Sequence, residues 1–173
     1  MPPIPSQISA FWLDFVRTCV TDPTPRFHEA FHFDDNEASA NALAELVVQG
    51  KKRATAGSFW SLEAAGTALV KPGQLSVVTR FSGEPVCVIE TLSINIIPIA
   101  EVDADFAATE GEGDGSLAYW RQAHRGYFSR ECARLGRDFD SQMPVVCEVF
   151  ELASAALLKR RGEFLMRNVS LSE

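Results

Sequence analysis

The chain has 173 residues, 46% of them hydrophobic, which suits one domain with a sizeable core and excludes a disordered protein. Its formal net charge of −7 argues against sequence-blind affinity for nucleic acid, which depends on neutralising phosphate charge. No apolar run approaches the roughly 20 residues of a membrane span, and the start Met1-Pro-Pro-Ile-Pro5 has no charged region followed by an apolar core. Cys19, Cys87, Cys132 and Cys147 are scattered, with no zinc-ligand or disulfide spacing. The expectation is a cytoplasmic protein with reduced cysteines, no membrane association and no inferable protein partner.

Ile8, Phe11, Trp12, Phe15, Val16 and Cys19 recur at helical spacing, which predicts a first amphipathic helix with Ser6 as N-cap and Asp22-Pro-Thr-Pro25 as its end. A loop carrying Phe27, His28, Phe31, His32 and Phe33 follows. Asn36 can start a second helix that runs to Val48, with Leu43, Leu46 and Val47 inward and Gly50 as its stop. Directly behind it, Gly50-Lys-Lys-Arg-Ala-Thr55 sets three consecutive cations and a β-branched hydroxyl at a helix-to-loop junction.

Residues 56–65 read as a short helix closed by Gly66. Residues 75–81 and 86–97 read as two antiparallel strands joined by Ser82-Gly-Glu-Pro85. On the second strand a period of two puts Glu90 on the same face as Val86, Val88, Leu92, Ile94 and Ile96. A carboxylate there costs on the order of several kcal/mol unless it is paired or sits at a pocket mouth.

Pro98 ends the strand, and residues 99–108 read as a short helix. The acidic loop Glu110-Gly-Glu-Gly-Asp-Gly115 leads into a long helix over 116–135, capped by Asp114 or Ser116, with Leu117, Trp120, His124, Tyr127 and Phe128 as its inner stripe. Charge is uneven here: acids run from Glu101 to Asp114, then Arg121, Arg125, Arg130, Arg134 and Arg137 follow, as a solvated face or as a small basic patch. Glu110, Glu112 and Asp114 offer carboxylates to a divalent cation, but their spacing matches no EF-hand loop, so no metal and no other cofactor is assigned. Residues 144–152 read as a last strand, followed by a weakly basic tail with Lys159, Arg160, Arg161 and Arg167.

A threonine hydroxyl needs a base within hydrogen-bond reach before it acts as a nucleophile. Lys52 stands three residues before Thr55, close enough to share one small cavity. Lysine becomes a base when desolvation lowers its pKa, whereas a nearby carboxylate favours the ammonium. Spacing alone leaves two readings: Lys52, Thr55 and Glu90 converge on one cleft, or the cations are solvated, Thr55 is structural and Glu90 makes a plain ion pair.

The runs Gly50-Lys-Lys-Arg-Ala-Thr-Ala56, Pro85-Val-Cys-Val-Ile-Glu-Thr91, Glu110-Gly-Glu-Gly-Asp-Gly-Ser-Leu-Ala-Tyr-Trp-Arg-Gln-Ala-His124 and Pro144-Val-Val-Cys-Glu-Val-Phe150, in that order, resemble the ASCH domain, related to PUA. The resemblance covers residues 30–152, leaving 1–29 as an N-terminal helical extension and 153–173 as a C-terminal tail. It implies an α+β fold, a PUA-like small and partly open β-barrel with helices packed at its mouth, and a cleft associated with RNA or modified nucleosides.

In the family's small amidohydrolases, which remove the acyl group from N4-acetylcytidine, a lysine, a threonine and a glutamate form the site. That motif falls here on Lys52, Thr55 and Glu90. The N-terminal helix, the Gly-rich acidic loop and the helix bearing Trp120, Arg121 and His124 are more similar to longer members that cleave single-stranded RNA, whose lysine matches Lys52 and whose serine after the acidic loop matches Ser116. With RNA as the ligand, Lys52 and Arg121 contact phosphate, Ser116 or Thr55 hydrogen-bonds it, Trp60, Tyr119 or Trp120 stacks a base, and His124 is a structural histidine or an acid–base group. The order of expectation is a ribonuclease acting on single-stranded RNA, then a nucleoside amidohydrolase, then a non-catalytic RNA-binding module.

Overall fold

Five strands form one sheet in the computed structural model, which describes residues 2–155; the basic residues expected in the tail lie outside the described residues. The strands are β1 (Phe27–Phe31), β2 (Ala54–Ser58), β3 (Leu75–Thr79), β4 (Pro85–Pro98) and β5 (Pro144–Ala155), in the spatial order β1-β3-β4-β5-β2. β1 runs parallel to β3 and every other pairing is antiparallel. The two edge strands do not pair with each other, so the sheet stays open, in keeping with a partly open PUA-like barrel and an α+β fold.

Among the described residues five helices pack around it: α1 (Ser9–Val16), α2 (Glu37–Val48), α3 (Phe59–Ala65), α4 (Ala104–Glu110) and α5 (Leu117–Arg134). No helix among the described residues is long and apolar enough to cross a membrane.

Two strands stand where the sequence reads otherwise. β1 replaces part of the expected loop, because Phe27 aligns with Leu75 and turns under α1, its ring 5.0 Å from that of Trp12. β2 replaces the start of the expected helix at 56. Its small residues lie along β5, Ala54 opposite Val149 and Ser58 opposite Val145, and Ser58 then caps α3 by accepting the Ser61 N–H at 3.2 Å.

Other helix starts follow local chemistry. Asn36 accepts the Ser39 N–H at 2.9 Å, and Ser116, rather than Asp114, caps α5 by accepting the Tyr119 N–H at 3.1 Å. Ser6 caps nothing: a 3-10 turn over Ser6–Ile8 precedes α1, which stops at Val16. Where one helix is expected over 99–108, a 3-10 turn at Ile99–Glu101 is followed by α4, with Asp103 as its cap.

Both faces of the sheet are covered. Ile8 of the 3-10 turn and Trp12 and Phe15 of α1 pack on Leu75, Val77 and Val88, while Ala44 and Val47 of α2 pack on Val78, Cys87 and Ile89 from the other side. A third cluster joins Trp120, Phe128 and Cys132 of α5 to Val145 and Cys147 of β5.

Glu90 keeps the expected parity with Val88, but that face is the one under α1. Its carboxylate meets Arg26 at 2.6 Å and borders a hollow shared with Phe15 and Cys19.

Candidate functional site

Backbone geometry turns Lys52 inward. Gly50 adopts φ +71° after α2, and the N–H groups of Lys51 and Lys52 both donate to the Leu46 carbonyl, at 2.9 and 3.1 Å. Lys51 and Arg53 are left exposed, while Lys52 is only 1% exposed. Its Nζ lies 2.9 Å from Glu110 Oε1, 2.5 Å from Glu112 Oε1 and 5.1 Å from the centre of the Phe33 ring. A buried ammonium is tolerated only when fully paired, and here two carboxylates do the pairing.

Those carboxylates reach Lys52 because α4 ends in a left-handed glycine. Glu110 is the last residue of α4, and Gly111 at φ +69° reverses the chain so that Glu112 comes back over the same ammonium. A Cβ at Gly111 would run into the Lys51 carbonyl, so the loop can lie this close only with glycine there. The N–H of Arg53 donates to the Thr109 carbonyl at 3.0 Å, and the Phe150 N–H donates to the Arg53 carbonyl at 2.9 Å, tying this segment to both α4 and β5.

Glu110 is itself buried and saturated. Oε1 also accepts the Ala56 N–H at 3.3 Å, and Oε2 accepts the Trp120 indole N–H in a short hydrogen bond. His124 stacks on Trp120, with ring centres 4.0 Å apart and planes 15° apart. Its Nδ1 donates to the Trp120 carbonyl, 3.0 Å away, which can only accept, and its Nε2 faces Glu110 at 3.5 Å.

Burial alone would raise the Glu110 carboxyl, but the Lys52 ammonium, His124 and the Trp120 indole together outweigh it and bring its pKa down to about 2. A depressed carboxyl contributes stability that is fully present above its unfolded value of 4.5 and is lost as the pH falls towards 2. Thermal unfolding followed against pH is therefore expected to show a falling melting temperature across that window, and Glu110→Gln is expected to flatten the fall.

Beside this ion triad opens a cavity of about 350 Å³. Thr55, Glu110, Glu112 and His124 line one part of it, Phe31, Phe33 and Tyr127 supply aromatic wall, and Glu29, Glu131 and Glu148 add further carboxylates. No lysine or arginine lines it among the described residues. Glu148 stands directly across the β2–β5 ladder from Thr55 and accepts the Thr91 hydroxyl at 2.6 Å.

The residues singled out from sequence are thus divided. Thr55 and His124 both line the cavity, and His124 and Lys52 meet the same carboxylate, Glu110. Glu90 joins neither: it belongs to Arg26 on the α1 face, and the carboxylates that hold Lys52 are Glu110 and Glu112.

The residues expected at phosphate or base are also dispersed. Ser116 is spent as a helix cap, and Arg121 is exposed and does not line the cavity. Trp120 is 1% exposed and bound to Glu110, so it is no stacking platform. Tyr119 is exposed at the edge of Gly113, and Trp60 lies half-buried beneath the Arg137 guanidinium, 4.6 Å from its ring centre. The three carboxylates considered for a cation are not gathered either: Asp114 turns away to accept the Ser116 N–H at 2.8 Å.

Glu110 and Glu112 read from sequence as acidic loop residues that could offer carboxylates to a cation, not as the partners of Lys52. A signal that could have found Glu110 is its spacing, three residues after Ala107 and four after Phe106, which continues the packed stripe of α4 past the expected helix end at 108. Glu148 carried no signal beyond its place on a strand.

The family model for the ASCH domain matches residues 29–154. Among solved structures, the ASCH domain from Lactobacillus crispatus JV V101 is 34% identical, with a TM-score of 0.82 over 89% of this chain and 98% of that one. A protein from Enterococcus faecalis V583 is 28% identical, with a TM-score of 0.77 over 91% of this chain and 94% of that one. No curated protein gave a significant match.

Proposed function

Because the chain belongs to the ASCH domain family, which is broadly linked to RNA binding, we propose that its cavity takes a single nucleoside and hydrolyses an acyl amide on the base, as in N4-acetylcytidine. The observation that carries this is that Glu112, held by Lys52 at 2.5 Å from behind, lines a cavity of about 350 Å³ that Thr55 also lines. That volume suits one nucleoside. Its carboxylate-rich wall, with no lysine or arginine, disfavours a chain of phosphates, so the amidohydrolase reading stands above the ribonuclease one.

Roles follow from position. Lys52 is held between two carboxylates rather than set alone in an apolar pocket, which makes it a fixed positive charge that orients Glu112. Glu112, whose side chain is 16% exposed, is the carboxylate able to exchange a proton with a ligand. It takes the Thr55 hydroxyl proton as the threonine oxygen bonds to the acyl carbon, and returns it to N4 as the C–N bond breaks. Glu112 then takes a proton from water as its oxygen adds to the ester carbon, and gives that proton to the Thr55 oxygen as the ester bond breaks and the acid leaves. All four cysteines are free thiols, which suits a nucleoside hydrolase of the cytoplasm.

Purified protein given N4-acetylcytidine is expected to release cytidine and acetate while leaving an unstructured RNA oligonucleotide intact. Cleavage of the oligonucleotide without acetate release would overturn this in favour of a nuclease, and inertness to both would leave a binding module.

A further inference from the structure

Carboxylates reach the cavity from several elements at once. Glu29 comes from β1, Asp34 from the loop behind it, Glu110 and Glu112 from the end of α4 and the loop after it, Glu131 from α5 and Glu148 from β5. Among the described residues the lining offers no lysine or arginine in return. Lys52 stands behind the wall and serves two of these acids together, so one of their charges stays unmatched.

Neither Glu131 nor Glu148 has an ion-pair partner among the described residues. Arg130 and Arg134 flank Glu131 on α5, yet both are turned to Asp35, and Glu131 Oε2 is a buried atom with no hydrogen-bond partner among the described residues. Glu148 has the Thr91 hydroxyl, which donates to Oε1 at 2.6 Å. Burial pushes both carboxyls up, outweighing the hydrogen bonds from Tyr127 and Ser61 at Glu131 and from Thr91 at Glu148. The charge of the wall does not depend on these two, because Glu29 and the unmatched charge beside Lys52 remain. A ligand that fills the cavity strips its acids of water, and positive charge on the ligand offsets that loss where a neutral ligand does not.

The form of that charge follows from how the acids are spread. Among the described residues no three His, Cys, Asp or Glu side chains are gathered closely enough to hold a metal ion. Carboxylates dispersed around a cavity of about 350 Å³ suit a charge spread over a ring instead, and Phe31, Phe33 and Tyr127 supply aromatic faces for such a ring. We propose that the cavity prefers a nucleoside whose base is a delocalised cation, as in a pyrimidine alkylated at N3, over a nucleoside of the same shape with a neutral base. This rests on the nucleoside reading of the cavity and not on the acyl-transfer chemistry at Thr55 and Glu112.

3-Methylcytidine and 3-methyluridine match in size, and at neutral pH the first is a cation while the second is neutral. Calorimetric titration of the full chain with these two and with cytidine is expected to show 3-methylcytidine bound about tenfold or more tightly than 3-methyluridine. The double variant Glu131→Gln/Glu148→Gln is expected to cut that preference about threefold or more, with 3-methyluridine binding changed by less than about twofold. Glu84→Gln removes a charge from the exposed turn between β3 and β4 and is expected to leave the preference unchanged, which separates the cavity from the net charge of −7. Equal binding of 3-methylcytidine and 3-methyluridine by wild type, or a preference that persists undiminished in the double variant, overturns the proposal and leaves the nucleoside reading intact. Wild-type protein that binds none of the three nucleosides overturns both. The comparison of the two methylated nucleosides uses the unaltered protein, so the answer does not depend on any variant folding.

Discussion

Lys52→Met is expected to destabilise the fold by about 3–5 kcal/mol, the usual cost of removing one partner from a buried ion pair. The charge left behind is that of Glu110, whose side chain is 1% exposed, whereas Glu112 at 16% can turn towards solvent. The loss therefore belongs mainly to Glu110, and the double variant Lys52→Met/Glu110→Gln is expected to recover much of it. Denaturant midpoints of the wild type, both single variants and the double variant measure this directly. If the double variant is no more stable than Lys52→Met, Glu110 is not the charge that Lys52 neutralises.

Glu112→Gln separates chemistry from architecture. An amide at this position still offers an oxygen to Lys52 Nζ, and the side chain is partly exposed, so the melting temperature is expected to stay within a few degrees of wild type. The amide cannot accept a proton, however, and deacetylation of N4-acetylcytidine is expected to fall by about 10²–10⁴-fold in kcat. KM is expected to change little, since binding of the base rests on other walls of the cavity. A variant that keeps kcat within about threefold would remove Glu112 from proton transfer and return that role to Lys52.

How far the sequence carried depends on whether the deciding contact was local. Caps at Asn36 and Ser116 and the hairpin of β3 and β4 each depend on residues within a few positions of one another, and each was legible. β1 and β2 were not. Phe27-His-Glu-Ala-Phe31 becomes a strand only by lying parallel to β3, and Ala54-Thr-Ala-Gly-Ser58, small and weak in strand propensity, only by pairing with β5.

Glu90 shows a subtler limit. Strand parity correctly placed it with Val88, but parity says which residues share a face and not what covers that face. Here α1 covers it, and Arg26 supplies the partner. The expected helix stopped at residue 108, so Glu110, the partner of Lys52, fell in the Glu-Gly-Glu-Gly-Asp run that reads as solvated loop, whereas α4 in fact extends to it.

The ion triad joins residues far apart along the chain: Lys52 meets Glu110 across 58 positions and Glu112 across 60. Closing a loop of that length is paid in entropy before any contact rewards it, so this closure falls late among the events of folding. Until α4 arrives, Lys52 stays in water as an ordinary solvated cation, and the wall that Glu110 and Glu112 supply to the cavity does not exist. A growing chain therefore carries no half-formed site: every segment that ends before residue 110 has the lysine and the threonine but none of the geometry that sets them to work.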